Sequence, residues 1–210
     1  MKKLLFILAL LLSSVFSLSA QQRLGTTPRI INMADNYYYA LDSLFLGEEF
    51  SQNLLGVAMI TTSAFGNDCC LRTYYDLANK KTELVYLILD RRNSREPSKR
   101  IIKTYRCPVS EEILFKLMDL VSDAVYSSIP GSIAHGADGV TYEFLLGDSL
   151  SAECWTPQLR EGSNCDRLVS LFESIQIAVR EKDSEKIEEL RPEIEELTSI
   201  FKSLRASMNN

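Results

Sequence analysis

Between Val140 and Pro157 the sequence leaves the backbone little choice. Val140, Tyr142, Phe144 and Leu146 are apolar and occupy every second position, with Thr141 and Glu143 between them. A period of two places such side chains on one face of a strand. Gly147-Asp148-Ser149 supplies turn residues, and Ser151 to Thr156 reads as the returning strand. Pro157 has no N–H for a ladder and stops it. The predicted unit is a β-hairpin with one buried face, and a chain that contains it must build a sheet around it. The same stretch, residues 134–157, holds the single histidine, His135, and the single tryptophan, Trp155.

Upstream, the pattern predicts further strands. Leu55 to Ala64 is apolar and β-branched, and Gly66-Asn67-Asp68 ends it. Leu71 to Leu77, Thr82 to Asp90 and Arg100 to Arg106 follow, separated by polar turns, as a meander of antiparallel hairpins. Thr82–Asp90 is apolar at consecutive positions and is expected to be covered on both faces.

Helices alternate with these strands. Met33, Tyr37, Leu41 and Leu44 recur at helical spacing, predicting a helix over about 33–46 with Asn32 as cap. Ser110, followed by Glu111 and Glu112, opens a second helix over about 110–127, and Cys107-Pro108 breaks the strand before it. Asn164 caps a third, with Leu168, Leu171, Phe172, Ile175 and Val179 on its inner face. Ile187, Leu190, Ile194, Leu197, Phe201, Leu204 and Met208 then alternate spacings of three and four, a heptad seam. Pro192 suits the first turn of a new helix. The seam fits a coiled-coil dimer or packing within the chain. The preceding helix is an available partner, so packing within the chain, and a monomer, is favoured. The expected fold class is α+β: an antiparallel sheet of about six strands, helices on one face, and a C-terminal helical segment.

Residues 1–20 read as a secretory signal peptide rather than as fold. Lys2 and Lys3 precede the apolar run Leu4 to Leu12, and Ser17-Leu18-Ser19-Ala20 ends in small residues, with cleavage expected after Ala20. That run is shorter than the ~20 residues of a membrane span. The expected division is a leader over 1–20, an α+β domain over 21–180 with a loose arm at residues 21–31, and a helical segment over 181–210 packed on the domain. Periplasmic or secreted localisation follows. Removing Lys2 and Lys3 leaves 21 basic against 28 acidic residues, so the formal charge moves from −5 to −7. Such a chain is a poor nucleic-acid binder, because that binding rests on neutralising phosphates.

All five cysteines follow the leader, where disulfides are permitted. Cys154 and Cys165 flank a loop with Pro157, Gly162 and Asn164 and are the favoured pair; Cys107 with Cys69 or Cys70 is a second pairing. An odd count leaves at least one thiol free or paired between chains, and burial as small hydrophobes is the competing reading.

Chemistry-bearing motifs are sparse. One histidine rules out zinc motifs that need two, Cys69-Cys70 is not a CxxC chelating loop, and no calcium-type carboxylate spacing occurs. There is no GxSxG, no GxxxxGK[ST] and no GxGxxG. No metal or cofactor is therefore expected. Two surface features stand out instead. Arg91, Arg92, Arg95, Lys99 and Arg100 form a basic loop on an acidic protein, suited to an anionic partner or simply to a soluble hairpin tip. Trp155 falls on the face opposite Ala152 and Cys154, either covered by a helix or open to a partner.

The run DGVTYEF…GDSLSAECWTPQ…LVSLFESI, from Asp138 to about Ile175, resembles a pattern met in uncharacterised secreted proteins of Bacteroidetes-type bacteria. In that pattern a strand opening DGxxY is followed by a Trp-Ser/Thr-Pro strand end and a closing helix. The resemblance implies shared structure and brings no activity with it. The expected function is an exported, non-enzymatic binding protein with a protein or glycan partner. The rivals are a hydrolase or thiol enzyme pairing a free cysteine with His135, and an inhibitor or immunity-like module acting on another secreted protein.

Overall fold

The structure is a computed structural model that describes residues 23–26, 36–47, 56–76, 78–90, 102–130, 138–147 and 150–208. The predicted hairpin is its centre. Strands β7 (Val140–Leu146) and β8 (Leu150–Trp155) pair antiparallel from Leu146↔Leu150 to Thr141↔Trp155. The upstream meander is present as β2 (Val57–Ser63), β3 (Asp68–Asp76), β4 (Lys81–Leu89) and β5 (Ile102–Pro108). It joins the hairpin through β2, which pairs antiparallel with β7 over its whole length, Val57↔Leu146 to Ser63↔Val140. Two-residue strands β1 (Gly25–Thr26) and β6 (Ile129–Pro130) complete the sheet, in the order β5-β4-β3-β2-β7-β8-β1-β6. Among the described residues only the β1–β6 pair is parallel.

Five helices accompany the sheet among the described residues: α1 (Asn36–Phe45), α2 (Glu111–Tyr126), α3 (Asn164–Glu181), α4 (Ser184–Glu189) and α5 (Arg191–Ala206). Ser110 caps α2 as expected, its side chain accepting from Ile113 N. The cap of α3 is Ser163 rather than Asn164: the Ser163 side chain accepts from Asp166 N, which puts Asn164 inside the first turn. Pro192 lies in the first turn of α5, where its missing N–H costs nothing.

Period-two alternation divides the sheet's side chains between two layers. Met59, Leu71, Leu84, Cys107, Tyr142, Phe144, Ala152 and Cys154 form one core with α2, α3 and α5, and Phe144 meets Phe172 of α3 edge-on, with ring centroids 5.3 Å apart. The α5 seam closes inside the molecule, with Ile194, Leu197 and Phe201 fully buried and α2 as the main neighbour. The opposite face carries Ala58, Ile60, Cys70, Val85, Leu87, Leu89 and Leu145, over which α1 lays Leu41, Phe45 and Leu46. The large helices thus gather on one face, and α1 adds a smaller cover to the other.

Three expectations need correction. First, the start of the arm is not loose. Leu24 is 0 % exposed, Ile129 N donates to Leu24 O, and Arg23 reaches the last turn of α5, donating to Leu204 O (3.2 Å) and Ser207 Oγ (2.8 Å). Second, the strand predicted from Leu71 begins at Asp68, and β5 runs on through Cys107-Pro108, because the ladder to β4 extends to Glu83↔Pro108. Third, all five cysteines are free thiols. Cys154 and Cys165 are neighbours in the core, packed as small apolar groups, and the bridge expected between them is absent. The alternative pairing fails on geometry. Cys107 on β5 faces Leu84 of β4, which faces Thr73 of β3, so Cys70 and Cys69 lie two strands across, roughly 9–10 Å at normal strand spacing, and three or four residues further along.

Candidate functional site

Several chain reversals meet at one end of the sheet. β2 ends there at Ser63, β3 begins at Asp68, β4 and β5 close on Leu89↔Ile102, β7 begins at Val140, and β8 ends at Trp155. The link from β2 to β3, residues 64–67, projects past the sheet as a hairpin tip. Ser63 Oγ accepts from Gly66 N (2.8 Å) and Phe65 N (3.4 Å), while Asp68 Oδ1 accepts from Ser63 N (3.4 Å). These bonds hold the tip in one shape without packing its side chains. Phe65 is accordingly 87 % exposed, the most exposed large apolar side chain among the described residues. Leaving a phenyl ring in water forgoes roughly 1.5–3 kcal/mol of burial energy.

The tip is braced against its neighbour. Ala64 N donates to Gly139 O (3.1 Å), and Trp155 Nε1 donates to Asp138 O (3.1 Å). Val140 N donates to Thr156 Oγ1 (2.9 Å). Gly139 has φ +123°, and a Cβ there would stand 2.6 Å from Trp155 Nε1 and 3.0 Å from both Thr156 Oγ1 and Pro157 Cδ. Asp138-Gly139-Val140 and Trp155-Thr156-Pro157 therefore form one joint, and the residues of the DGV…CWTP pattern are its two halves. Trp155 is half-exposed on the face of β8 opposite Ala152 and Cys154, as the alternation requires.

Glu143 and Glu153 pair directly across β7 and β8 on that same face, and Glu153 is 8 % exposed. Both carboxylates have interaction partners. Elsewhere, a cleft of about 410 Å³ opens between the start of α2 and α4, lined by Pro108, Val109, Ser110, Ser184, Glu188 and Glu189. Two of its polar groups are engaged with each other and with a neighbour: Ser110 Oγ donates to Glu188 Oε1 (2.6 Å), and Arg191 holds Glu188 Oε2 (2.5 Å). That cleft is a joint between helices.

The residues singled out from sequence divide accordingly. Trp155 belongs to the site. Arg91, Arg92, Arg95, Lys99, Arg100 and His135 lie outside the described residues, as do the leader and Met33. Phe65 had no sequence signal beyond an aromatic residue between two small ones, Ala64 and Gly66.

For thiol chemistry the environment is unfavourable. Burial raises the thiols of Cys69, Cys70, Cys107 and Cys154, and pushes that of Cys165 up to about 12. A buried thiol held protonated is a poor nucleophile. Among the described residues no three His, Cys, Asp or Glu gather as a metal site, and no helix is long and apolar enough to cross a membrane. Comparison with protein-family models, with curated proteins and with solved structures finds no match.

Proposed function

We propose that the chain is an exported binding protein that engages a protein or glycan partner through the end of the sheet bearing Phe65 and Trp155. The observation that carries this reading is Phe65, an 87 % exposed ring on a hairpin tip fixed by hydrogen bonds from its backbone to the Ser63 hydroxyl. Rigid aromatic side chains give large contact area at small entropic cost, and a tip already held in shape loses little freedom on docking. A ring presented on a projecting hairpin also has the form of a plug. That shape favours the inhibitor or immunity-like version of this reading over a flat adhesive surface.

The test is capture from the native cell envelope with tagged wild-type protein and with Phe65→Ala. Phe65→Ala should keep the wild-type melting temperature, since the ring packs against little, and should lose at least tenfold in partner recovery. Equal recovery by the two proteins would place the contact elsewhere.

A further inference from the structure

The two edges of the sheet are not alike. At the β6 edge the outermost strands, β1 and β6, are two residues each. At the other, β5 is bound to β4 on one side through an unbroken register of seven residues, Ile102↔Leu89 to Pro108↔Glu83, without a bulge. No hydrogen bond joins the outer side of β5 to another described residue. Lys103, Thr104 and Arg106 are exposed and Tyr105 half-exposed. A straight edge of this length, with no proline before Pro108, is a template for another strand.

The side chains along the edge say which strand fits. Lys103 and Tyr105 lie on the helix-face side of β5, Tyr105 packed against that core beside Tyr86 and Lys103 exposed, which puts an open cation on this flank. On the opposite face Arg106 lies 5.1 Å from the Tyr74 ring centroid and 3.0 Å from Glu83, which Lys81 also holds at 2.9 Å. The carboxylate facing β5 from β4 is thus already engaged, while Lys103 has no anionic partner among the described residues. A second copy of this chain docking β5 against β5 would bring two Lys103 and two Arg106 to one seam. We infer that β5 receives an extended acidic segment of a partner protein by strand addition, its backbone completing the β5 ladder and its carboxylates meeting Lys103. This surface, the outer edge of β5, is distinct from the Phe65 tip and stands or falls independently of it.

Three fluorescein-labelled ten-residue peptides test the inference by polarisation: alternating Glu-Val, alternating Lys-Val, and Glu-Val N-methylated at every second residue along one edge. The Glu-Val peptide should bind saturably and at least tenfold more tightly than Lys-Val, and N-methylation should abolish binding. Lys103→Glu, at an exposed position, should keep the wild-type melting temperature and reverse the preference. Amide exchange at alternate residues between 102 and 108 should slow at least tenfold on binding. Absence of saturation at millimolar peptide overturns the proposal. So does equal binding of the N-methylated peptide, which would mean charge attraction without strand addition. Protection of β5 that rises with protein concentration in the absence of peptide would assign the edge to a second copy, and also overturns it.

Discussion

Gly139 shows how a single residue fixes the candidate site. Its φ of +123° is one that side-chain-bearing residues rarely adopt, and the space its Cβ would fill is already held by Trp155, Thr156 and Pro157. Gly139→Ala is therefore expected to cost about 1–3 kcal/mol by strain and displacement. Chemical denaturation would show it as a lower midpoint, with Trp155 fluorescence altered in the native baseline. The residues of this joint stand out in the sequence, but the reason for them does not. Asp138 acts through its backbone carbonyl, and Gly139 acts by having no side chain. Phe65 was illegible for a related cause: an apolar residue in a turn looks like the fraying end of a strand until the Ser63 and Asp68 bonds are seen. The five thiols read as possible bridges because spacing reports loop length and is silent on packing.

Elements were more legible than contacts. The alternation from Val140 to Leu146 gave the hairpin and its buried face, because a period of two has one physical solution; the register came only with the structure. The α5 heptads gave a helix and a buried side but left the partner open, since spacing says which stripe is covered and not by what. The structure supplies α2 as main partner, with Ile194, Leu197 and Phe201 buried inside one chain. Phe201→Ala should accordingly cost about 3–5 kcal/mol, measured by urea unfolding. A coiled-coil dimer held by this seam would instead make the loss depend on protein concentration. Leu24 escaped notice because one buried residue has no period.

At the scale of the whole molecule, charge sets how stability responds to pH. Glu83 sits below its ordinary value even though burial pushes it up, because Lys81 and Arg106 outweigh that push. The Ser110 hydroxyl and Arg191 lower Glu188, while Lys116 lowers Glu195 and Arg167 lowers Glu196. A lowered carboxylate stabilises the fold above its unfolded value and loses that contribution as pH falls, here from about pH 4.3 downward. At the other limb, burial raises Tyr86, Tyr142 and the thiols, so their contribution is complete below the unfolded values and lost as pH rises past about 8.5 for thiols and 10 for tyrosines. The melting temperature should hold a plateau between about pH 5 and 8 and fall on both sides, which a calorimetric pH series checks. A plateau extending unchanged to pH 3 would contradict the acidic limb.

The grip of Arg23 on Leu204 and Ser207 spans 181 and 184 residues of sequence, and Leu24 fills its place in the core beside it. Such a clasp has nothing to hold until the final helix exists. A growing polypeptide, made at about 5–20 residues per second, can close it only after α5 has been made. This clasp is thus among the last contacts that the described residues can complete, tying the segment before β1 to the end of α5.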